Sequence, residues 1–353
     1  MILFLILLVT LCLNGLTISP KSQLCPDYIS RQNTMSVRGI FLFLVIARHF
    51  KEYVTLSHPL DMPFLFLDRF LGQGIVSIFL FYSGYGIFES VKKKGTAYIR
   101  SMPVKRLLLT LLHFMAAVLL YLMIGMMLGR SYSSRTILLA FIGWTSVGSS
   151  NWYVFAILCL YLASWISFSL FQKKPASALI STFCLTLVYI LILSRLRPSE
   201  NWWYNTALCY PAGMWFSMEK DWIQQLFRQS PRLYSACTLI SIAAVIALRP
   251  LTRQLFLYEL WSVLFAVMVV LLTMKFSLRN PVLYWMGEHT FWIYILQRLP
   301  MMLLRHAGIH RYPWLFLILS IAGLLPLAAV CEHLARLADR KLLKLLLPGT
   351  AEK

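Results

Sequence analysis

The sequence predicts an all-α fold: a polytopic integral membrane helix bundle of about ten core spans with one extra N-terminal span. Three observations carry that expectation. Hydrophobic residues make up 59% of the 353 and charged residues only 13%, outside the usual range of soluble domains. The mean hydropathy is +0.71. Apolar runs near 20 residues, enough to cross a hydrocarbon layer of about 30 Å, recur along the whole chain. Backbone N–H and C=O groups find no water inside lipid, so runs of that length must satisfy themselves as helices.

Element by element, residues 1–19 form the extra apolar segment, and ten spans follow at about 37–56, 70–90, 104–128, 151–171, 176–195, 202–218, 233–249, 255–275, 282–304 and 312–335. Segment 136–147 is too short to cross and reads as an interfacial or re-entrant helix. The span at 202–218 is short and interrupted by Pro211 and Gly213. Residues 1–19 lack a basic leading region, and Pro20 directly follows, so the segment reads as a retained span rather than a cleaved signal.

Basic residues set the orientation. Lys92, Lys93, Lys94, Arg100, Lys105 and Arg106 crowd one loop, which the positive-inside bias assigns to the cytoplasm. Alternation then places Arg130 with Arg135, and Arg305 with Arg311, in extracytoplasmic loops that carry basic pairs only. The formal net charge of +20 belongs beside the spans and anionic headgroups, which argues against a nucleic-acid partner. The seven cysteines are odd in number and show no CxxC spacing, so they read as small hydrophobes rather than a metal site or a disulfide framework.

Within this apolar background, Arg38 and His49 stand eleven residues apart. At about 100° per residue, eleven steps return to within roughly 20° of the start, so both side chains share one helix face. Ionisable groups in a span are costly and mark function by default. The bland alternative is a snorkelling arginine and a satisfied core histidine.

Four segments in order resemble the acyltransferase 3 family of bacterial inner-membrane acyltransferases. They are Arg38 to His49; Phe79-Leu80-Phe81-Tyr82-Ser83-Gly84-Tyr85-Gly86; Asn151-Trp152-Tyr153 and the apolar run to Tyr161; and Gly287-Glu288-His289-Thr290 through Ile293-Tyr294 to Gln297. Thr290 stands where that family usually has serine, and Gln297 where it usually has histidine, so a titratable group is lost there. The resemblance divides the chain into 1–30 (extra span and linker), an acyltransferase-like membrane domain over 31–340 and a cytoplasmic tail at 341–353.

The resemblance implies a multi-pass enzyme of the bacterial inner membrane. It would transfer an acyl group, commonly acetyl, from cytoplasmic acyl-CoA to a hydroxyl of an extracytoplasmic glycan or other cell-surface carbohydrate. No resident cofactor or metal is expected; acetyl-CoA or another acyl-CoA enters as donor substrate. The residues suit that chemistry. A sugar hydroxyl must lose its proton as it attacks a thioester, and His49 is the natural general base. Arg38 is always charged and can hold a carboxylate, a phosphate or the reacting groups. Lys105, Arg106 and Arg48 are candidates for the donor, since coenzyme A phosphates need cations; positive-inside sorting explains the loop residues equally. Trp152 and Tyr153 either stack on a sugar or belong to an aromatic belt, and Glu288 and Gln297 are further candidates for the acceptor. The competing class is a transporter or flippase of a glycan or glycolipid, because intramembrane charge also marks translocation paths.

Overall fold

The computed structural model describes residues 1–20 and 23–347. Its helices run in chain order as α1 (Ile2–Leu13), α2 (Arg31–Phe50), α3 (Met62–Leu71), α4 (Gly74–Met102), α5 (Leu109–Met127), α6 (Ser134–Phe141), α7 (Trp152–Leu170), α8 (Pro175–Leu196), α9 (Cys209–Gln229), α10 (Pro231–Leu248), α11 (Leu255–Thr273), α12 (Pro281–Glu288), α13 (Thr290–Leu296), α14 (Arg298–His306) and α15 (Pro313–Leu346). Two three-residue strands, β1 (Leu16–Ile18) and β2 (Phe276–Leu278), pair antiparallel with Thr17 opposite Ser277. Among the described residues, six helical stretches are long and apolar enough to cross a membrane: Gly74–Met127, Trp152–Leu170, Pro175–Leu196, Pro231–Leu251, Leu255–Thr273 and Pro313–Leu346. The first holds two of the expected spans, separated by Gly95 at φ 55°, where helical geometry breaks. On α8, Ile180 and Leu191 are each more than 60% exposed; such a face is at home against lipid.

Several elements differ from expectation. The segment expected to span over 1–19 is a helix of 12 residues followed by β1. The region 282–304 is three short helices rather than one rod, broken at His289, whose backbone leaves the helical basin at φ −93°, ψ 18°. The helix near 202–218 begins only at Cys209 and runs on through polar residues to Gln229. Segment 136–147, expected to be too short to cross, overlaps the short α6, which begins two residues earlier at Ser134 and ends at Phe141. The expected tail starts inside α15, and from 348 onward it lies outside the described residues. All seven cysteines are free; Cys25 and Cys209 are buried whereas Cys184 is exposed.

The chain divides into two compact units. The first comprises Met1–Leu44, Ser57–Gly95 and Leu170–Glu288. Its core centres on Trp261, fully buried, stacked on Phe265 at 5.5 Å and donating its indole N–H to the Val245 carbonyl at 2.9 Å. Here α2 meets α12 backbone to backbone. A Cβ on Gly39 would lie 2.1 Å from the Leu283 carbonyl oxygen, and one on Gly287 would lie 1.9 Å from that of Met35. The same reciprocity joins α4 to α9, through Gly84 against Tyr210 and Gly213 against Phe81. Inside this unit Glu259 is buried and accepts the Ala207 and Leu208 backbone N–H groups at 3.2 and 3.0 Å, satisfying donors at the start of α9.

The second unit comprises Val45–Leu56, Thr96–Ser169 and the chain from His289. Phe114, Tyr121 and Phe316 are fully buried in it, and the Tyr121 hydroxyl donates to the Ile295 carbonyl at 2.8 Å. Phe316 packs on Phe50 and Tyr53 with ring centres 5.8 and 5.9 Å apart, which anchors the end of α2.

Candidate active site

Helix α2 carries both residues of the Arg–His constellation. It starts at Ser30, whose hydroxyl oxygen accepts the Asn33 backbone N–H at 3.2 Å as an N-cap. It ends with Arg48 and His49 in the last turn, where the Arg48 charge complements the helix dipole.

His49 belongs to the second unit, and its side chain is only 13% exposed. Its Nδ1 lies 3.0 Å from Glu52 Oε1 and 2.8 Å from Arg298 Nη2. Arg298 also pairs directly with the Glu52 carboxylate. On the opposite side of the ring, Nε2 is 3.2 Å from the Ser150 hydroxyl. Glu52 sits in the turn following α2, and Arg298 opens α14.

The loop before α7 positions Ser150 through its own polar contacts. Asn151 Nδ2 donates to the Gly143 carbonyl at 2.6 Å, and the Ser146 hydroxyl to the Ser149 carbonyl at 2.7 Å. Gly148 turns the chain at φ +118°, a conformation that favours glycine.

This arrangement poses a choice of proton position. In the ring plane, Nδ1 has either a lone pair or an N–H. With the lone pair it accepts from Arg298, the proton sits on Nε2, and Nε2 is no base. With the N–H it donates to Glu52, and the Nε2 lone pair faces Ser150, poised to take a proton from a hydroxyl. A carboxylate behind a histidine in this way orients the ring and stabilises the imidazolium that forms.

Beside these residues lies a polar cavity of about 720 Å³, lined in part by Glu52, Tyr53, Arg130, Arg298, Arg305 and His310.

The other predicted residues fall as follows. Arg38 belongs to the first unit, its guanidinium 5.6 Å from the Tyr82 ring centre; Tyr82 is buried and part of the aromatic run ending in Ser83-Gly84. Glu288, in the same unit, pairs with Arg31 at 2.9 Å. In the second unit Arg48 is half-buried beside His49. Arg106 donates to the Tyr98 hydroxyl at 3.0 Å within a π-helical turn over Pro103–Leu108, in which Lys105 is half-buried. Trp152 and Tyr153 form the first turn of α7, and the Tyr153 ring lies 5.2 Å from Tyr294. Gln297 is fully buried; its Nε2 donates to the Tyr294 carbonyl at 2.8 Å, while its Oε1 has no hydrogen-bond partner among the described residues. Sequence reasoning misses Glu52, Ser150 and Arg298. The signals available for two of them are local: Glu52 follows His49 by three residues, and Arg298 is next to Gln297.

A helical, multi-pass membrane protein with a buried, polar-partnered histidine at the end of one helix is the class these observations define. A model of the acyltransferase 3 family, described as an acyltransferase domain, matches residues 36–333. The chain therefore belongs to the acyltransferase 3 family and is a membrane acyltransferase. No curated protein and no solved structure matches it.

Proposed function

We propose that the protein is an acyl-CoA-dependent O-acyltransferase of the bacterial inner membrane, moving an acetyl group to a hydroxyl of an extracytoplasmic carbohydrate or glycolipid. The observation that carries this reading is the set of partners around His49: Glu52 and Arg298 at Nδ1, and a hydroxyl at Nε2. The acceptor hydroxyl takes the place that the Ser150 hydroxyl occupies. Nε2 removes its proton as the oxygen attacks the thioester carbonyl, and the imidazolium is stabilised by Glu52. When the tetrahedral intermediate collapses, the carbon–sulfur bond breaks. The departing coenzyme A sulfur takes the Nε2 proton, which returns His49 to its starting state. Arg38 holds an anionic part of a substrate, and Lys105, Arg106 and Arg48 serve the donor phosphates. Trp152 and Tyr153 stack on the acceptor, with Glu288 and Gln297 as polar contacts.

The test is purified protein in detergent with radiolabelled acetyl-CoA, comparing wild type with His49→Ala and Arg38→Ala. Turnover of the thioester that disappears in folded His49→Ala supports the reading. Full activity in that variant sinks the assignment of His49, and folded wild-type protein that neither binds nor turns over the donor sinks the choice of acyl-CoA.

A further inference from the structure

Three arginines, Arg130, Arg298 and Arg305, line the cavity beside the partners of His49, and Glu52 is the carboxylate-bearing residue among the described residues that lines it with them. Arg298 is committed to that carboxylate and to the imidazole. Among the described residues lining the cavity, two positive charges therefore remain unbalanced. Arg305 is held over the Tyr53 ring at 5.6 Å, a cation–π contact that leaves its N–H edge available. Arg130 follows the end of α5, and its backbone N–H is tied to the Gly125 carbonyl at 2.9 Å. His310 adds a buried Nδ1 with no hydrogen-bond partner among the described residues.

Membrane sorting does not explain these charges. The loops carrying Arg130 and Arg305 are those the charge bias assigns to the extracytoplasmic side, where the positive-inside rule gives arginine no advantage. Like charges gathered around one cavity repel, and the arrangement is relieved when an anion enters. Guanidinium groups suit phosphate and carboxylate because they offer paired, charge-assisted N–H donors. At about 720 Å³ the cavity lies within the roughly 300–1,000 Å³ typical of ligand sites.

We infer that this cavity is an anion-reading subsite and that the acceptor hydroxyl presented to His49 belongs to a phosphate- or carboxylate-bearing molecule, gripped by Arg130 and Arg305. The inference rests on the proposed acyl transfer for the word acceptor. The charge-dependent binding itself does not, so it is measured separately from turnover.

The experiment uses the full chain in neutral detergent. Thermal unfolding is followed with millimolar glucose, glucose 6-phosphate, glucuronate or coenzyme A, for wild type, Arg130→Gln, Arg305→Gln, the double variant and the charge-keeping Arg130→Lys. Glucose 6-phosphate and glucuronate are expected to raise the melting temperature of the wild type where glucose does not. The shift should fade with added salt, vanish in the double variant and survive in Arg130→Lys. Each glutamine variant alone should weaken binding about tenfold, as expected for losing a charge-assisted hydrogen bond.

Equal stabilisation by glucose and glucose 6-phosphate would overturn the inference. So would a double variant that folds and still binds glucose 6-phosphate as the wild type does. Loss of coenzyme A binding in the same variants, with no response to either sugar anion in the wild type, would assign the charges to the donor and overturn it too. A shift obtained only when phosphatidylglycerol is added to the detergent micelles, and with neither sugar anion, would assign them to lipid headgroups and overturn it as well. If the arginine variants fail to fold, Arg130→Lys and the salt titration of the wild type still decide. A salt-sensitive shift with the sugar anions, without any acetyl-CoA turnover, would keep the subsite and remove the acyl-transfer reading instead.

Discussion

Glu52 and Arg298 meet at the same nitrogen of His49, the carboxylate at 3.0 Å and the guanidinium at 2.8 Å, although 246 residues separate them in the chain. One wants a proton on Nδ1 and the other wants a lone pair. Their own ion pair holds both in place around the ring. Truncating Glu52 leaves Arg298 as the partner that decides, and the proton then moves to Nε2, where it would block the proposed base catalysis. Glu52→Ala is therefore expected to lower kcat about 100-fold or more with little change in the donor KM. Steady-state kinetics with labelled acetyl-CoA would check it. A loss confined to KM would make Glu52 a binding group.

Ser150 Oγ lies 3.2 Å from Nε2, the place the proposed mechanism gives to the acceptor hydroxyl. Under direct transfer it marks the place without taking part. Ser150→Ala should therefore fold, lose about 1 kcal/mol of stability at most and keep activity within about tenfold of the wild type. Complete loss, with wild-type protein carrying acid-stable label after denaturation and Ser150→Ala carrying none, would show an acyl-enzyme at this serine.

The buried carboxylate of Glu259 has a structural task in the first unit. Glu259→Ala strips the Leu208 N–H at the start of α9 of its acceptor, while the Ala207 N–H keeps the Tyr204 carbonyl at 3.3 Å. A cost of about 1–3 kcal/mol for that one unsatisfied group is expected, read as a lower melting temperature in detergent. An unchanged melting temperature would mean that water satisfies the Leu208 N–H.

Gly39→Ala should be damaging out of proportion to one methyl group. The added carbon would sit 2.1 Å from the Leu283 carbonyl oxygen, so the two backbones must separate. Overpacking of this kind costs roughly 1–3 kcal/mol or more. Thermal unfolding of the purified variant measures it, and wild-type stability would show that α12 yields freely.

How much of the molecule is legible in the sequence follows the range of the forces involved. The long apolar helices and the shared helix of Arg38 and His49 are legible, because composition and the 3.6-residue period are local. The break of 282–304 at His289 is not, since hydropathy scores a run of residues and is blind to a single departure of φ and ψ. The pairing of Leu16–Ile18 with Phe276–Leu278 joins three residues to three across most of the chain, too few for any strand pattern. At the site, His49 stands out as an ionisable group in an apolar run. Glu52 is within reach as a neighbour three residues on, yet its meaning depends on Arg298, and that contact exists only after folding. Ser150 carries no local signal, as serine in a loop is ordinary.

The reciprocal glycines of α2 and α12 have a consequence for genetics. Gly39 faces the main-chain oxygen of Leu283, and Gly287 faces that of Met35. A main-chain oxygen cannot be mutated away. A damaging substitution at either glycine is therefore expected to lack an intragenic suppressor at the residue it strikes, because shortening the side chain of Leu283 or Met35 removes nothing from the clash. Revertants at these two codons should be overwhelmingly same-site returns to glycine, which sets this seam apart from ordinary core positions, where a smaller neighbour can make room.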